Sequence, residues 1–224
     1  MPQARGADHA VAAAVAAVVV VVAVVAVADR TRVEAVRAQG PAAVTLRERA
    51  APPAAVDPKR AALAIWQPAY IGLGSNLDDP RTQVLAAVEK LRALPNTRVV
   101  AVSKLYGSKP FGPVKQGDFV NAVVGLLTQL DAPALLNEAK AIERALGRPE
   151  KYERWGPRVI DLDILVYGCE KRADPALTIP HPGIVERNWV LYPLADIAPS
   201  LDIPGVGRVA ELKGNIAPEG LWTL

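Results

Sequence analysis

The 224-residue chain has one cysteine, one methionine, two phenylalanines and two histidines, and aromatic residues make up only 5% of it. A single cysteine excludes an intrachain disulfide framework and a CxxC metal site. Cys169 falls in the turn-like run Tyr167-Gly168-Cys169-Glu170 and reads as an ordinary loop thiol. No aromatic run of the RNA-reading type occurs. A net charge of +3 is too small to argue for nucleic acid by itself, although a polyphosphate pocket would also draw on surplus Arg and Lys. The GxxxxGK[ST] pattern is absent, and Gly72-Leu73-Gly74 lacks the third glycine of GxGxxG, so neither phosphate-binding glycine loop is present. Tight strand-to-helix packing is the simpler expectation for those two glycines. No repeat of solenoid length appears.

Long apolar runs are not lacking. Ala10 to Ala28 is entirely Ala and Val, which inflates the hydrophobic fraction of 51%. A membrane span takes ~20 such residues. The run is compatible with an anchor, with a signal segment, or with translated upstream sequence from a mis-set start codon. Arg30, Arg32 and Arg37 follow it and only Arg5 precedes it, so an inserted segment would leave the C-terminal part in the cytoplasm. Residues 31–68 are rich in Ala, Arg and Pro and read as a weak helix followed by linker. The expected division is an N-terminal extension over 1–67 and a folded domain over 68–224.

Within that domain the pattern predicts a strand at 69–74, then a helix opened by Asp79-Pro80 and stopped by Pro95-Asn96. Strands follow at 98–105 and 119–127, separated by a loop over 108–117. A helix over 132–146 has Asp131 as its N-cap and Gly147 as its stop. A polar loop over 148–157 leads to a strand over 158–167, and a mixed helical segment spans 184–197. Strand, helix, strand, strand, helix, strand is the ferredoxin-like split β-α-β order of an α+β fold. It implies an antiparallel sheet with its helices packed on one face. It fixes a scaffold, not a function.

The chemistry concentrates in the last of these strands. Ile160, Leu162 and Ile164 alternate with Asp161 and Asp163, so two carboxylates share the face opposite the core. Such a pair suits Mg²⁺, held by one or two carboxylates and substrate phosphates, and it equally suits a solvated strand face. The preceding loop favours the metal: Arg148, Lys151, Arg154 and Arg158 crowd beside the pair. Guanidinium forks bind phosphate oxygens and stabilise charge in phosphoryl transfer. His181 is held between Pro180 and Pro182, and Arg187 and Trp189 follow closely.

These blocks resemble the 6-hydroxymethyl-7,8-dihydropterin pyrophosphokinase family of folate synthesis. The resemblance rests on Tyr70-Ile71-Gly72-Leu73-Gly74-Ser75-Asn76-Leu77, the loop Tyr106 to Pro113, and Asp118-Phe119-Val120-Asn121-Ala122. It continues in Glu153-Arg154-Trp155-Gly156-Pro157-Arg158 through Asp161-Leu162-Asp163, in Pro180-His181, and in Tyr192-Pro193-Leu194-Ala195-Asp196-Ile197-Ala198-Pro199. It implies a Mg²⁺-dependent pyrophosphokinase with ATP as co-substrate and two Mg²⁺ ions on Asp161 and Asp163. It implies ATP contacts from Glu143, Lys151, Trp155, Arg158, His181 and Arg187, with Arg148 and Arg158 acting on the phosphates. The pterin would stack between Phe119 and Trp189, Asn121 would read its edge, and Ser108, Lys109 and Phe111 would line its pocket. Four positions depart from the family pattern. Phe119 stands where Tyr is frequent, Trp189 where Phe is frequent, Lys109 where Glu or Pro is usual, and Ala176 where some members have Arg.

Two other readings compete. A ferredoxin-like sheet can bind RNA, but carboxylates on the candidate strand would repel phosphates without a metal. A catalytically dead, membrane-fixed homologue is at odds with the intact carboxylates and arginines. The expectation is a monofunctional monomer in the cytoplasm, acting on ATP and the pterin without nucleic acid. Membrane contact would come only through residues 10–28.

Overall fold

The central strand β1 (Gln67–Ser75) alternates strictly: Ala69, Ile71, Leu73 and Ser75 are buried, and the residues between them are half-buried. This computed structural model describes residues 65–149 and 156–224. Trp66–Leu224 forms one compact unit.

Strand β1 pairs antiparallel with β4 (Phe119–Thr128) on one side and with β5 (Asp161–Tyr167) on the other. Strand β4 also pairs with β2 (Thr97–Val102) and β3 (Tyr106–Ser108), and β10 (Leu221–Thr223) adds to the far edge of β3. The sheet therefore runs β10-β3-β4-β1-β5, with β2 also on β4. Two short ribbons complete the strands: β6 (Arg172–Asp174) with β7 (Leu177–Ile179), and β8 (Asp202–Ile203) with β9 (Gly207–Arg208).

Helices α1 (Pro80–Arg92) and α2 (Ala132–Ala145) form where the apolar spacing and caps predict them. Val84, Ala87, Val88 and Leu91 are the buried stripe of α1. Asp131 caps α2 by accepting from the Ala134 N–H at 2.8 Å. Gly147 has φ +98°. There the Arg148 N–H donates to the Glu143 carbonyl (3.0 Å), and the Gly147 N–H donates to that of Arg144 (3.0 Å). This is the Schellman ending that a glycine with positive φ permits.

The helices do not lie on one face, as the split β-α-β order predicted. Ala122, Val124 and Leu126 of β4 join α1 and α2 in one core, and Val123 joins the second core. That second core contains Val190 and Leu194 of α3 (Asn188–Ile197) and Val209 of α4 (Val209–Gly214). The sequence of α3 explains the difference: its apolar residues need a partner, and the opposite face of the sheet supplies one.

Two strand boundaries also move. The strand predicted over 98–105 stops at Val102 because Ser103 interrupts the ladder, and β3 begins beyond it at Tyr106. Its N–H donates to the Val123 carbonyl, and its hydroxyl accepts from the Val123 N–H, both at 2.9 Å. Strand β5 begins at Asp161, three residues later than predicted. The Arg158 N–H instead donates to Asn76 Oδ1 (2.8 Å), and the Arg158 carbonyl accepts from the Asn76 N–H (3.1 Å). Among the described residues no helix is long and apolar enough to cross a membrane; residues 10–28 lie outside them.

Candidate active site

A cavity of about 350 Å³ opens on the sheet face that α3 only partly covers. Its floor is made by what β1 omits. Gly72 and Gly74 alternate with the buried Ile71 and Leu73, so they face away from α1 and α2 and line the cavity. Gly72 lies opposite Asp163, and Gly74 lies between Asp161 and Asn121. A Cβ on Gly74 would meet Asn121 Oδ1 at 3.4 Å, and one on Gly72 would meet Leu165 at 3.2 Å. These glycines therefore clear the floor of the site, which corrects the expectation that they serve strand-to-helix packing.

On one wall β5 presents Asp161 and Asp163. Asp161 is gripped by two guanidiniums, Arg148 Nη1 on Oδ1 and Arg158 Nη1 on Oδ2. Arg148, with a side chain 6% exposed, also pairs with Glu143 Oε1 at 2.7 Å. Glu143 is buried at the end of α2. It accepts from Lys140 Nζ (3.1 Å) and from the Leu162 N–H (2.8 Å), a donor on the outer edge of β5. Burial alone would raise the Asp161 carboxyl, but the Arg158 and Arg148 charges outweigh it and hold the group below the usual carboxylate range. Among the described residues no guanidinium bonds Asp163 in this way, and its side chain is 39% exposed, facing the cavity. Desolvation first, then the Asp161 charge, push it upward. Burial likewise raises Glu143 against the Leu162 and Lys140 contacts.

His181 approaches Asp163 Oδ2 through Nε2 at 3.8 Å. Its Nδ1 accepts from the Gly183 N–H (3.0 Å), so the neutral ring carries its proton on Nε2, toward Asp163. Burial lowers its basicity, and Asp163 partly restores it. Its own N–H donates to the Leu165 carbonyl at 2.9 Å, which ties the segment after the cis Ile179–Pro180 bond to β5.

The opposite wall contains Ser108, Lys109, Phe111, Phe119, Asn121 and Trp189, all lining the same cavity. The Phe111 and Trp189 rings lie 5.6 Å apart and tilted by 45°. Asn121 donates through Nδ2 to Ser108 Oγ (2.9 Å) and the Tyr106 carbonyl (3.4 Å), leaving Oδ1 beside Gly74 on the floor. Lys109 is directed to Asp118 at 2.9 Å.

Arg148, Arg158, Asp161, Asp163, His181 and Arg187 are thus gathered in one cavity with the six residues of the aromatic wall. Glu143 lies behind Arg148. Lys151 and Trp155 lie outside the described residues. Ala176 is exposed beyond β6 and is not among the residues lining the cavity. Three residues at the cavity escaped the sequence reading. Lys140 and Gln116 line the cavity, and Asn76 connects its two loops: its Nδ2 donates to Gln116 Oε1 (2.9 Å) and the Gly117 carbonyl (3.2 Å), while its Oδ1 holds Arg158. Asn76 was visible only as the last residue of a Gly-rich turn. Lys140 falls one turn before Glu143 on the same helix face, which was a usable signal.

Among the described residues no group of three or more His, Cys, Asp or Glu is arranged to hold a metal. Two hard carboxylates opening on a cavity nevertheless fit Mg²⁺, which keeps several waters and takes substrate phosphates for its other ligands.

An antiparallel α+β domain with a carboxylate–guanidinium wall facing an aromatic wall is the class of protein that fold and site define. A family model described as 7,8-dihydro-6-hydroxymethylpterin-pyrophosphokinase (HPPK) matches residues 70–199. A Pseudomonas aeruginosa 2-amino-4-hydroxy-6-hydroxymethyldihydropteridine pyrophosphokinase is 46% identical over 158 residues, which is 70% of this chain and 97% of that one. A protein of the same name from Aquifex aeolicus is 39% identical over 135 residues, 60% of this chain and 82% of its own. The solved Plasmodium falciparum HPPK-DHPS wild type aligns with TM-score 0.52 and 16% identity, over 67% of this chain and 45% of that one, a likeness of fold. The chain spans a little under half the length of that structure. The chain belongs to the HPPK family.

Proposed function

We propose that the protein transfers the pyrophosphoryl group of ATP to 6-hydroxymethyl-7,8-dihydropterin, releasing AMP, as a step of folate biosynthesis. The observation that carries this is the facing of two walls across one cavity. Asp161, Asp163, Arg148, Arg158, His181 and Arg187 stand on one side, and Phe111, Phe119, Asn121 and Trp189 on the other. A triphosphate needs the first wall, and a flat heterocycle with hydrogen-bonding edges suits the second.

Asp161 and Asp163 would hold the expected two Mg²⁺ ions, which supply charge neutralisation at the phosphates. A guanidinium has five donors, so Arg158, held by Asp161 through Nη1, can offer the others to phosphate oxygens while keeping its orientation. Neutral His181 can donate from Nε2 to the same phosphates. Arg187 adds positive charge, and Lys151, Trp155 and the buried Glu143 complete the nucleotide side. On the acceptor side the pterin would lie between Phe119 and Trp189, with Ser108, Lys109 and Phe111 around it. Asn121 Oδ1 would take up a ring N–H. The acceptor hydroxyl then attacks the β-phosphorus of ATP. Its O–P bond forms as the bond from that phosphorus to the α,β-bridging oxygen breaks; the oxygen leaves with AMP, and the hydroxyl proton is released to solvent. Positioning and charge do most of the work.

The strand order β5-β1-β4-β2 with all pairs antiparallel supports a ferredoxin-like core carrying added helices on its second face. We assign residues 68–224 to this domain and 1–67 to an extension. One chain supplies both walls, which supports a monomer, and the free exposed Cys169 suits the reducing cytoplasm.

A thermal melt with a non-hydrolysable ATP analogue tests the nucleotide side. At a hundredfold excess over Kd, binding to the native state adds about 2.7 kcal/mol, or roughly 5–10 °C for a domain of this size. The shift should require Mg²⁺. An equal shift without Mg²⁺ would contradict the assigned role of Asp161 and Asp163.

A further inference from the structure

The HPPK match ends at residue 199, yet the chain beyond it returns to the acceptor wall. Strand β10 pairs Leu221 with Ser108, Trp222 with Gly107 and Thr223 with Tyr106. The Lys109 N–H donates to the Gly220 carbonyl (2.9 Å), and the Leu224 N–H donates to that of Leu105 (3.0 Å). At its other end the same segment is held by Asn188, the first residue of α3. The Asn188 side-chain amide donates to the carbonyls of Ala217 (2.9 Å) and Glu219 (3.0 Å). Asn188 precedes Trp189, and Gly107 precedes Ser108, so the segment fastens both sides of the acceptor wall.

The contact at its centre is specific. The Trp222 indole occupies the space beside Gly107 of β3 that a side chain there would fill. A Cβ placed on Gly107 would fall 2.1 Å from Trp222 Cε2 and 2.3 Å from its Nε1, so only glycine admits the ring there. Trp222 is still 38% exposed, so burying apolar area accounts for only part of its placement. Lys109 Nζ stands 5.4 Å from the ring centroid while it pairs with Asp118, which fixes the lysine at the cavity rim. Strand β3 is three residues long and has β4 on one edge. Without β10 its other edge would be unpaired, and a strand that short holds its register weakly.

We propose that the C-terminal segment is a strap, with Trp222 as a positioning residue, that sets the spacing between Ser108 and Trp189 and so the fit of the acceptor. This rests on the acceptor reading of that wall given above.

The test is steady-state AMP formation by the full chain, varying ATP and pterin separately. Trp222→Ala and Gly107→Ala should each raise the pterin KM about tenfold, equivalent to about 1.4 kcal/mol. Each should leave the Kd of an ATP analogue within about twofold. Trp222→Phe keeps a ring and should restore most of the loss. The double variant should be no worse than the poorer single one, because both break one contact. A pterin KM unchanged in both single variants, pterin and nucleotide affinities falling together, or effects that multiply in the double variant would overturn the strap. Absence of AMP from the unaltered chain would overturn the function proposed above instead, so the two failures are distinguishable.

Discussion

Asp161 and Asp163 stand two positions apart on one strand but in opposite electrostatic settings. Two guanidiniums compensate Asp161, whereas Asp163 faces the cavity with His181 at 3.8 Å and no guanidinium bonded to it among the described residues. Asp163→Asn should therefore reduce AMP formation by about 10²-fold or more with little change in the melting temperature. Asp161→Asn should cost similar activity and also about 2 kcal/mol of stability in denaturant unfolding, because it weakens charged hydrogen bonds to the nearly buried Arg148. Asn76 makes a different prediction. Its side chain connects the 116–117 segment to Arg158. Asn76→Ala should cost about 1–3 kcal/mol and weaken both substrates together, as separate titrations of ATP analogue and pterin would reveal.

Among the elements, β1 carries both core and site by alternation. Gly74→Ala places a methyl on the cavity floor near Asn121 Oδ1 without a clash against backbone. Stability should change by less than about 1 kcal/mol while the pterin KM rises. Strand β3 and helix α3 are joined by Tyr106, whose hydroxyl donates to both Asp196 oxygens at 3.0 and 3.1 Å. Burial and then the Asp196 carboxylate push that phenol up to about 12, against about 10 in an unfolded chain. The raised value means this stabilisation is complete below about pH 10 and is lost between about pH 10 and pH 12. Tyr106→Phe should remove that part of the alkaline loss in urea unfolding followed against pH. The elements legible in the sequence were those with full periodicity and chemical punctuation: β1, β4, β5, α1 and α2, with Asp131 and Gly147 marking the ends of α2. The β6–β7 and β8–β9 ribbons, α4 and β10 were not legible. Strands of two or three residues and a six-residue helix carry no measurable period, and their pairing is set by tertiary contacts. The interruption at Ser103 was hidden for a related reason, since a hydroxyl substitutes for backbone in the ladder.

In the whole molecule, the two faces of the sheet separate stability from function. The α1–α2 face holds the larger core. The other face is only partly covered by α3 and α4, and the remainder is the cavity. The sequence made the charged wall legible because four of its six residues, Arg148, Arg158, Asp161 and Asp163, lie within one short stretch. The acceptor wall draws on residues 108–121 and on Trp189, which only the antiparallel return of β4 beside β3 and the packing of α3 bring together. Family resemblance supplied that wall before geometry could.

The most direct measurement is nucleotide analysis of a reaction containing the purified protein, ATP, Mg²⁺ and 6-hydroxymethyl-7,8-dihydropterin, with Asp161→Ala/Asp163→Ala as control. The account predicts AMP, formed in step with pterin consumption and absent from the control. ADP in place of AMP would mean attack at the γ-phosphorus, and would contradict pyrophosphoryl transfer as the chemistry of this site.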